Sequence, residues 1–392
     1  MKVLSDLFTL DSSVLDPRIT TSLFTAAKSV VNGSVLALTA LGRNVASDNG
    51  VMEKHSIKRV DRLLGNPRLH DVIPQYYQII QKLFITEKHP LIHIDWSTVY
   101  NYNFVMLRAA ISIKGRAIAL YEEVHPEEQH AQPAIHKKFL VALAKLLPAD
   151  CEPIICTDAG FKIPWFKEVQ RYNWYWLART RGTVKCKFET EEEWHYVSHC
   201  HAWATSKATE LPPFALSKSS QYSCRGVLFK GKSQQRHNLN RKGVVTKDNI
   251  NKRHSKSAKE PWFLVSNLPE TQYPPHQLVS LYKRRMTIEE SFRDCKNEYY
   301  GLGLSRSLSR CEKRLQVMLL VAMMVQFYLY CVGKAAENQG YHLHFQANTI
   351  TNRRVLSYGY LGLRLIKHRR YDVSKEMILD AIKALVEDAK CS

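Results

Sequence analysis

Four side chains suited to phosphate chemistry recur at helical spacing near residue 290. Tyr282, Arg285, Glu289 and Lys296 stand in the stretch YKRRMTIEESFRDCK. On one helix, at about 100° per residue, they would share an arc of about 60° beside an apolar stripe. Such a helix could pack on a core while presenting a carboxylate among groups that bind phosphate. The alternative is the solvated charged face of an ordinary amphipathic helix.

Two aspartates accompany apolar runs typical of strands. Asp95 stands in LIHIDW, and Asp158 ends EPIICTD, a short apolar run of the buried parallel kind. We expect both at or near the C-terminal ends of neighbouring strands, where open α/β sheets assemble their sites. Asp95 alone would more often be a strand-end capping acid. Together with Asp158 and Glu289 it makes a trio that is proposed to converge from two strands and a helix.

Three converging carboxylates without a counter-charge would repel one another. Two Mg²⁺ ions, which prefer oxygen ligands, would relieve that repulsion and create a site for in-line phosphoryl transfer. One ion would activate water or a 3′-hydroxyl, and the other would stabilise the leaving oxygen. Tyr282, Arg285 and Lys296 would then bind phosphates beside the cut.

The composition indicates a polyanionic partner. Lysine and arginine outnumber aspartate and glutamate by 56 to 36, which gives a net charge of +20. Nucleic acid is the natural partner for such a chain, although charge indicates a partner and not an activity. Nine scattered cysteines without a CxxC pair, and no signal peptide, indicate a reducing cytosol. The apolar run from Val317 to Val332 predicts a buried core helix rather than a membrane span.

The hydrophobic periodicity predicts three regions. Residues 1–85 form a helical, basic domain, in which Lys54, Lys58 and Arg62 recur every four residues opposite an apolar face. That face is either a DNA-contacting surface or an ordinary solvent-exposed one. Residues 86–335 form an α/β catalytic core, and 336–392 a helical region that could pack internally or against a second subunit. A β-rich insertion at 181–260 interrupts the core.

The end of the insertion is strongly basic. Residues Arg225 to Lys259 carry eleven lysines and arginines against the single acid Asp248, which predicts an exposed phosphate-contacting loop. Within it, GVLFKGKS at Gly226 to Ser233 matches the phosphate-loop pattern of nucleotide hydrolases. No apolar helix face follows the match, so we reject it and expect no nucleotide cofactor.

These motifs together resemble the DDE transposases of bacterial insertion sequences, which have a ribonuclease H-like core. The likeness rests on HIDW, on CTDAGFKIPW, and on the Y-x2-R-x3-E-x6-K signature that the four residues near 290 fill. Within that group the chain is similar to the insertion-sequence-four family. LGRN, IKRVDRLLGN, SAKEPW and HFQANT add a likeness to its insertion-sequence-ten branch.

The resemblance implies cut-and-paste transposition with Mg²⁺, for which Mn²⁺ could substitute. Water would nick the element end, and the freed 3′-hydroxyl would attack the opposite strand to form a hairpin. After the hairpin reopens, the same hydroxyl would join target DNA. Trp262 would stack a base flipped from the hairpin, or else be a core tryptophan.

The partners implied by the resemblance are terminal repeats, target DNA and a second copy of the chain in a dimer, in the nucleoid of the bacterial cytoplasm. Two alternatives remain open from the sequence. One is a non-catalytic, DNA-binding repressor of transposition, and the other is a ribonuclease H-like nuclease that only hydrolyses.

Overall fold

The computed structural model describes residues 1–10, 15–33, 35–99, 103–231, 260–368 and 370–391 of a mixed α/β protein. The chain divides into two units, Met1–Pro153 with Arg285–Ser392, and Ile154–Arg284. The three functional regions inferred from the sequence stay a prediction. The expectation of an exposed basic loop at 225–259 is wrong at its start, because a strand spans Tyr222–Phe229 and Arg225 pairs with Glu210 at 2.7 Å. Most of the rest lies outside the described residues, which break off after 231 and resume at 260.

Every described regular element between residues 2 and 84 is a helix, as the sequence patterns predict. The helices are α1 Lys2–Leu10, α2 Pro17–Val31, α3 Leu38–Asn49, α4 Glu53–Leu64 and α5 Pro67–Phe84. Asn66 caps α5 by accepting from the backbone N–H of Arg68 at 3.0 Å, immediately before Pro67. α3 and α4 approach so closely that a Cβ on Gly42 would lie 2.5 Å from the Cα of Ile57. Only a glycine permits that contact.

Three antiparallel strands and a helix follow in the same unit. They are β1 Leu91–Val99, β2 Phe104–Ile113, β3 Arg116–Pro126 and α6 Pro133–Leu146. β2 and β3 form a hairpin, with Gly115 at φ +82° in its turn. The expectation that Asp95 lies at or near the C-terminal end of its strand is wrong, because Asp95 lies in the middle of β1. The buried half of β1 ends at Asp95, but pairing with β2 continues to Val99.

The second unit is built on a mixed sheet. Its strands are β4 Ile154–Thr157, β5 Tyr175–Thr180, β6 Lys185–Phe188, β7 His195–Tyr196, β8 Thr209–Glu210, β9 Phe214–Leu216, β10 Tyr222–Phe229 and β11 Trp262–Ser266. The described strands of the unit have the order β4-β5-β11-β10-β9-β6-β7, with β8 on β10, and among them only the β4–β5 pair is parallel. Its helices are α7 Ile163–Gln170, α8 Val197–Cys200 and α9 Pro275–Lys283.

The expectation of one continuous helix through Tyr282 and Lys296 is wrong. α9 ends at Lys283, and a new helix, α10, spans Met286–Lys296. Between them the chain makes a tighter turn, in which the N–H of Arg284 reaches the carbonyl of Leu281 at 3.3 Å. Arg285 caps α10, while Tyr282 belongs to α9. Hydrogen bonds that reach back three residues, rather than four, change the rotation per residue. The shared helix face calculated for one continuous α-helix therefore does not extend across this turn to Tyr282.

The long helix α11, Glu312–Asn338, forms the centre of the first unit. It is apolar and long enough to cross a membrane by composition alone, but 89% of its most apolar window is buried inside the protein. Burial on all sides is expected of a core helix in a larger domain. Gln326 of α11 donates to the backbone carbonyl of Ser291 at 3.0 Å, and so ties α11 to α10.

The C-terminal part closes the first unit. A 3-10 turn at Tyr341–Phe345 precedes α12, Tyr358–Lys367, and α13, Lys375–Cys391. α12 lies directly on α11, where a Cβ on Gly333 would stand 2.1 Å from the carbonyl oxygen of Tyr358. Ile378 and Leu385 of α13 are buried within the unit, so this apolar face packs internally. Dimer formation through other surfaces stays a prediction.

A buried ion pair between two neighbouring strands of the first unit joins these strands to its helices. Arg108 of β2 and Glu122 of β3 are cross-strand neighbours, both fully buried, with 2.6 Å between guanidinium and carboxylate. Tyr77 of α5 donates to the second carboxylate oxygen at 3.0 Å. Arg108 donates to the Ser291 hydroxyl at 2.7 Å and lies over the ring of Phe292. One charged pair thus fixes both α5 and α10 to the sheet.

Replacing Arg108 should therefore unfold the protein readily. We expect Arg108→Met to lower the free energy of unfolding by about 3–5 kcal/mol, because it leaves the Glu122 carboxylate buried without its cation. Urea unfolding followed by circular dichroism measures the loss. Arg43→Met, which breaks an exposed pair with Glu53, is the matched control and should change it by less than about 1 kcal/mol. Equal losses in the two variants would contradict the role given to the buried pair.

Candidate active site

The helix α10 faces the three-stranded sheet with a polar stripe. Near its start, the Thr287 hydroxyl lies 2.8 Å from that of Ser112, which lies 2.7 Å from Nε2 of His93. Near its end, Asp294 accepts from Arg116 at 2.6 Å. Together with Ser291 on Arg108, these bonds hold the helix at several points along its length. Burial is the largest influence on Asp294 and raises the pKa of its carboxyl, which Arg116 opposes.

This anchoring brings two of the three predicted carboxylates to one cation. Arg285 Nη1 donates to Oδ2 of Asp95 at 2.9 Å, and Nη2 donates to Oε1 of Glu289 one helical turn further along α10. The other oxygen of Asp95 accepts from the N–H of Trp96 at 2.9 Å. Asp95 and Arg285 are each 9% exposed as whole residues, whereas the Glu289 side chain is 44% exposed. The cluster is therefore nearly buried on the strand side and open on the Glu289 side.

Lys296 lies at the other end of the same helix and contacts the exposed half of β1. Its ammonium donates to the Ser97 hydroxyl at 2.8 Å and to the Thr98 carbonyl at 3.3 Å. Burial lowers the pKa of Lys296, although Asp95 and the Cys295 thiol act in the opposite direction. Glu289 and Lys296 are seven residues apart, about two turns, and thus share the helix face that the sequence predicts.

A histidine and tryptophan cluster flanks Asp95 on the strand. The indole N–H of Trp96 donates to Nε2 of His136 at 2.9 Å, and the rings of His125 and His130 lie 5.8 Å and 5.2 Å from the indole. Burial, followed by the two neighbouring imidazoles, lowers the pKa of His136 to about 4. His136 is therefore neutral near pH 7 and can accept the indole hydrogen bond. That bond orients the residue whose backbone N–H holds Asp95.

The second unit holds two further predicted residues in contact with each other. Tyr282, 5% exposed on α9, packs edge to face on Trp262 with 5.0 Å between ring centroids. Trp262 is half-buried at the start of β11, also near Phe229. Lys283 lies over the Phe229 ring at 5.1 Å. Trp262 and Tyr282 thus form an aromatic cluster beside a cation, and their contact with DNA stays a prediction.

Asp158 lies where the sequence predicts, directly after β4. Its Oδ1 accepts from the N–H of Gly160 at 2.8 Å in a tight turn that precedes α7. A Cβ on Gly160 would lie 2.9 Å from that carboxylate oxygen, so glycine leaves room for the turn. Asp158 belongs to the second unit, and its convergence with Asp95 and Glu289 stays a prediction.

The predicted basic face of α4 is exposed. Lys54, Lys58 and Arg62 are all exposed, whereas Val60 and Leu63 on the opposite side are buried. This is the amphipathic arrangement that the periodicity predicts. Exposure of these three basic residues does not by itself establish contact with DNA, so their role as a DNA-contacting surface stays a prediction.

The donor chemistry of the Asp95–Glu289 pair fits a divalent cation. Carboxylate oxygens are the ligands that Mg²⁺ prefers, and these two side chains already share one cationic partner. Across the described ranges, no group of three or more histidine, cysteine, aspartate or glutamate side chains is close enough to hold a metal ion. The structure therefore brings together a pair of carboxylates, with Arg285 as their counter-charge.

Sequence reasoning missed the residues that position this pair. Arg108, Glu122, Thr287 and Ser291 fix α10, and His136 orients Trp96. A signal was present, because Arg108 and Glu122 are charged residues inside otherwise apolar strand patterns. Such a charge in a buried strand requires a partner, and two of opposite sign on consecutive strands predict a cross-strand pair.

Comparison with known proteins places this α/β chain in a family. The family model described as transposase DDE domain matches residues 105–326, which is more than half of the chain. The chain therefore belongs to the transposase DDE domain family. The matched range contains Asp158 and Glu289 and begins after Asp95. A search of curated proteins found no match.

Family membership supports a transposase function and makes DNA the expected partner. Domains of this family generally use divalent metals, so membership also suggests a metal-dependent nuclease or transposase. The insertion-sequence-four assignment, the Y-R-E-K signature and the insertion-sequence-ten branch stay predictions.

The role of Arg285 as counter-charge can be measured without DNA. We expect Arg285→Ala to lower the free energy of unfolding in EDTA by about 2 kcal/mol, because it leaves the nearly buried Asp95 without its cation. Arg293→Ala removes an exposed arginine that pairs with Glu290 on the same helix, and it should change stability by less than about 1 kcal/mol. If both variants unfold at the same urea concentration, Arg285 is not needed to balance the pair.

Proposed function

We propose that this protein is a cut-and-paste DNA transposase of the insertion-sequence-four type. The observation that carries the proposal is the Asp95–Arg285–Glu289 cluster, a carboxylate pair arranged about a cation in a member of the transposase DDE domain family. Its substrates are the terminal repeats of a mobile element and target DNA. We further propose that two copies of the chain bridge the two element ends, in the bacterial nucleoid.

Asp95, Asp158 and Glu289 would hold Mg²⁺, with Mn²⁺ as a substitute. When bound, the metal would lower the pKa of the attacking water or 3′-hydroxyl and stabilise the negative charge that develops on the leaving oxygen. The chain's own residues do the positioning. Asp95 is oriented by the Trp96 N–H and by β1, while Glu289 approaches from the more exposed side of α10. The two ligands thus come from β1, which pairs with β2, and from α10, which Arg108 of β2 holds through Ser291.

The guanidinium of Arg285 has a second role in this proposal. If Asp95 and Glu289 held a divalent metal, its charge would balance the two carboxylates, and Arg285 could then hold a phosphate of the distorted strand. Lys296 and Tyr282 add a cation and a hydroxyl donor for neighbouring phosphates. Metal binding and phosphate binding would then favour each other, since both depend on releasing the same side chain.

The reaction consists of successive phosphodiester exchanges. Water attacks the phosphorus at the element end, and the broken P–O bond leaves a 3′-hydroxyl on the element. That hydroxyl attacks the opposite strand, which closes a hairpin and releases the flanking DNA. Hydrolysis reopens the hairpin, and the 3′-hydroxyl finally attacks target DNA. We propose that Trp262, which packs beside Tyr282, stacks a base flipped out at the hairpin.

Removing one carboxylate at a time tests the catalytic assignment. We expect Asp95→Asn, Asp158→Asn and Glu289→Gln each to reduce cleavage of end-bearing DNA in Mg²⁺ by at least about a thousandfold, because each removes a metal ligand. Binding to the same DNA should stay nearly unchanged. Gel analysis of cleavage products and a mobility-shift assay provide the two readouts.

The matched control is Glu290→Gln, which changes the acid next to Glu289 on the same helix. Glu290 pairs with Arg116 and Arg293 rather than with the cluster, so its variant should cleave normally. Normal cleavage by any of the three site variants would refute that residue's assignment. Wild-type protein that shifts DNA and never nicks it would indicate a repressor. Nicks without hairpins or joined products would indicate a nuclease that only hydrolyses.

The basic face of α4 can be tested through salt dependence. We expect Lys54→Ala, Lys58→Ala and Arg62→Ala each to weaken binding to element-end DNA and to reduce the slope of log affinity against log salt by about one. Lys383→Ala, an exposed lysine on α13, is the control and should leave the slope unchanged. A slope unaffected by all three substitutions would identify the face as ordinary solvent-exposed surface.

A further inference from the structure

A cleft opens in the C-terminal part of the first unit, outside the carboxylate cluster. It has a volume of about 570 Å³, within the range of small-ligand sites. The 3-10 turn before α12, the outer face of α12 and the turn after it form its walls. Its aromatic lining consists of Phe345, Tyr360 and Tyr371, and its cations are Arg364 and Arg370. We call it the C-terminal cleft.

The charge of the C-terminal cleft favours an anion. The sequence contains no aspartate or glutamate between Glu337 and Asp372. Arg364 and Arg370 are exposed, and neither forms an ion pair with a carboxylate in the described part of the chain. Arg354 differs from them, because it pairs with Glu337 at 3.0 Å and lies over the Tyr358 ring. Arg354 therefore balances the charge of a carboxylate in the fold, whereas the two cleft arginines do not.

The rings of the C-terminal cleft are held in place before any ligand arrives. Phe345 and Tyr371 have centroids 5.4 Å apart, and Nδ1 of His344 lies 2.9 Å from the Tyr371 hydroxyl. The Gln346 amide donates to the carbonyls of Ile350 and Arg353, at 2.6 Å and 2.9 Å, and thereby fixes the loop before α12. Fixed rings lose little conformational entropy on binding a flat ligand.

The C-terminal cleft borders an exposed tyrosine that follows Lys296 closely in the chain. Tyr300 is 65% exposed and packs on Tyr360 of the cleft, with 5.6 Å between ring centroids. Tyr300 follows Lys296 by four residues, a span of at most about 14 Å. A nucleic acid strand held at Lys296 could therefore continue over Tyr300 into the cleft.

We propose that the C-terminal cleft binds an unpaired nucleotide of a DNA strand, with its base against Phe345 and Tyr371 and its phosphate on Arg364 and Arg370. Aromatic rings beside cations are the arrangement that binds single strands, because every base has a face for stacking. In a duplex, neighbouring bases cover those faces, and phosphate contacts alone would not use the rings. The inference rests on the proposed function only in taking DNA as the partner.

Binding of a labelled oligothymidylate to the full chain, measured by fluorescence anisotropy without divalent metal, tests the proposal. We expect Arg364→Ala and Tyr371→Ala each to weaken binding about tenfold, with little effect on a duplex of the same length. Arg353→Ala is the matched control, since it removes an exposed arginine of the same segment outside the cleft. Tyr371→Phe, which keeps the ring, should retain most of the affinity.

Two results would overturn the proposal. One is an equal loss for Arg353→Ala and Arg364→Ala, which would indicate general charge attraction. The other is unchanged binding by Tyr371→Ala with a native circular dichroism spectrum. Cleavage of end-bearing DNA is assayed separately with wild-type protein. If the wild-type protein does not cut, the proposed function is rejected, but the oligonucleotide-binding result for the C-terminal cleft still holds. If the protein cuts DNA but the cleft substitutions do not change oligonucleotide binding, only the proposal for the cleft is rejected.

Discussion

The buried pair of Arg108 and Glu122 is the constraint on which the first unit depends. Taking two charges out of water costs free energy, and only close pairing with further hydrogen bonds offsets it. Here those further bonds come from Tyr77 and Ser291, which lie on two different helices. The need to satisfy one charged pair therefore determines where α10 lies on the sheet, and with it where Glu289 stands relative to Asp95.

The same need to pair buried charges explains how Arg285 holds the carboxylate cluster together. Asp95 is nearly buried on the strand, and an uncompensated carboxylate there would be costly. Arg285 reaches both Asp95 and Glu289 because it caps the helix that carries Glu289 one turn later. A counter-charge supplied by the neighbouring turn thus keeps the two acids in place.

The sequence was sufficient for the elements and for part of the cluster. Apolar runs predict β1, β4 and α11, because elements buried on one or more faces are rich in apolar residues. They could not predict the turn at Arg284, because helical dihedrals continue through it while the hydrogen bonds tighten. The sequence also could not predict which groups Arg285 binds. A guanidinium binds carboxylate and phosphate with the same geometry, so only the folded positions of Asp95 and Glu289 decide between them.

The contact of α11 with α12 has a consequence for how such a protein tolerates change. Backbone meets backbone at Gly333 and Gly362, where an added Cβ would stand 2.1 Å and 2.2 Å from a carbonyl oxygen. Mutagenesis that truncates side chains measures how much stability a fold loses when side-chain atoms are removed. At these two sites, adding a single methyl group would disrupt the packing of α11 on α12. Such mutagenesis does not test glycines, yet these two would be among the residues least tolerant of replacement.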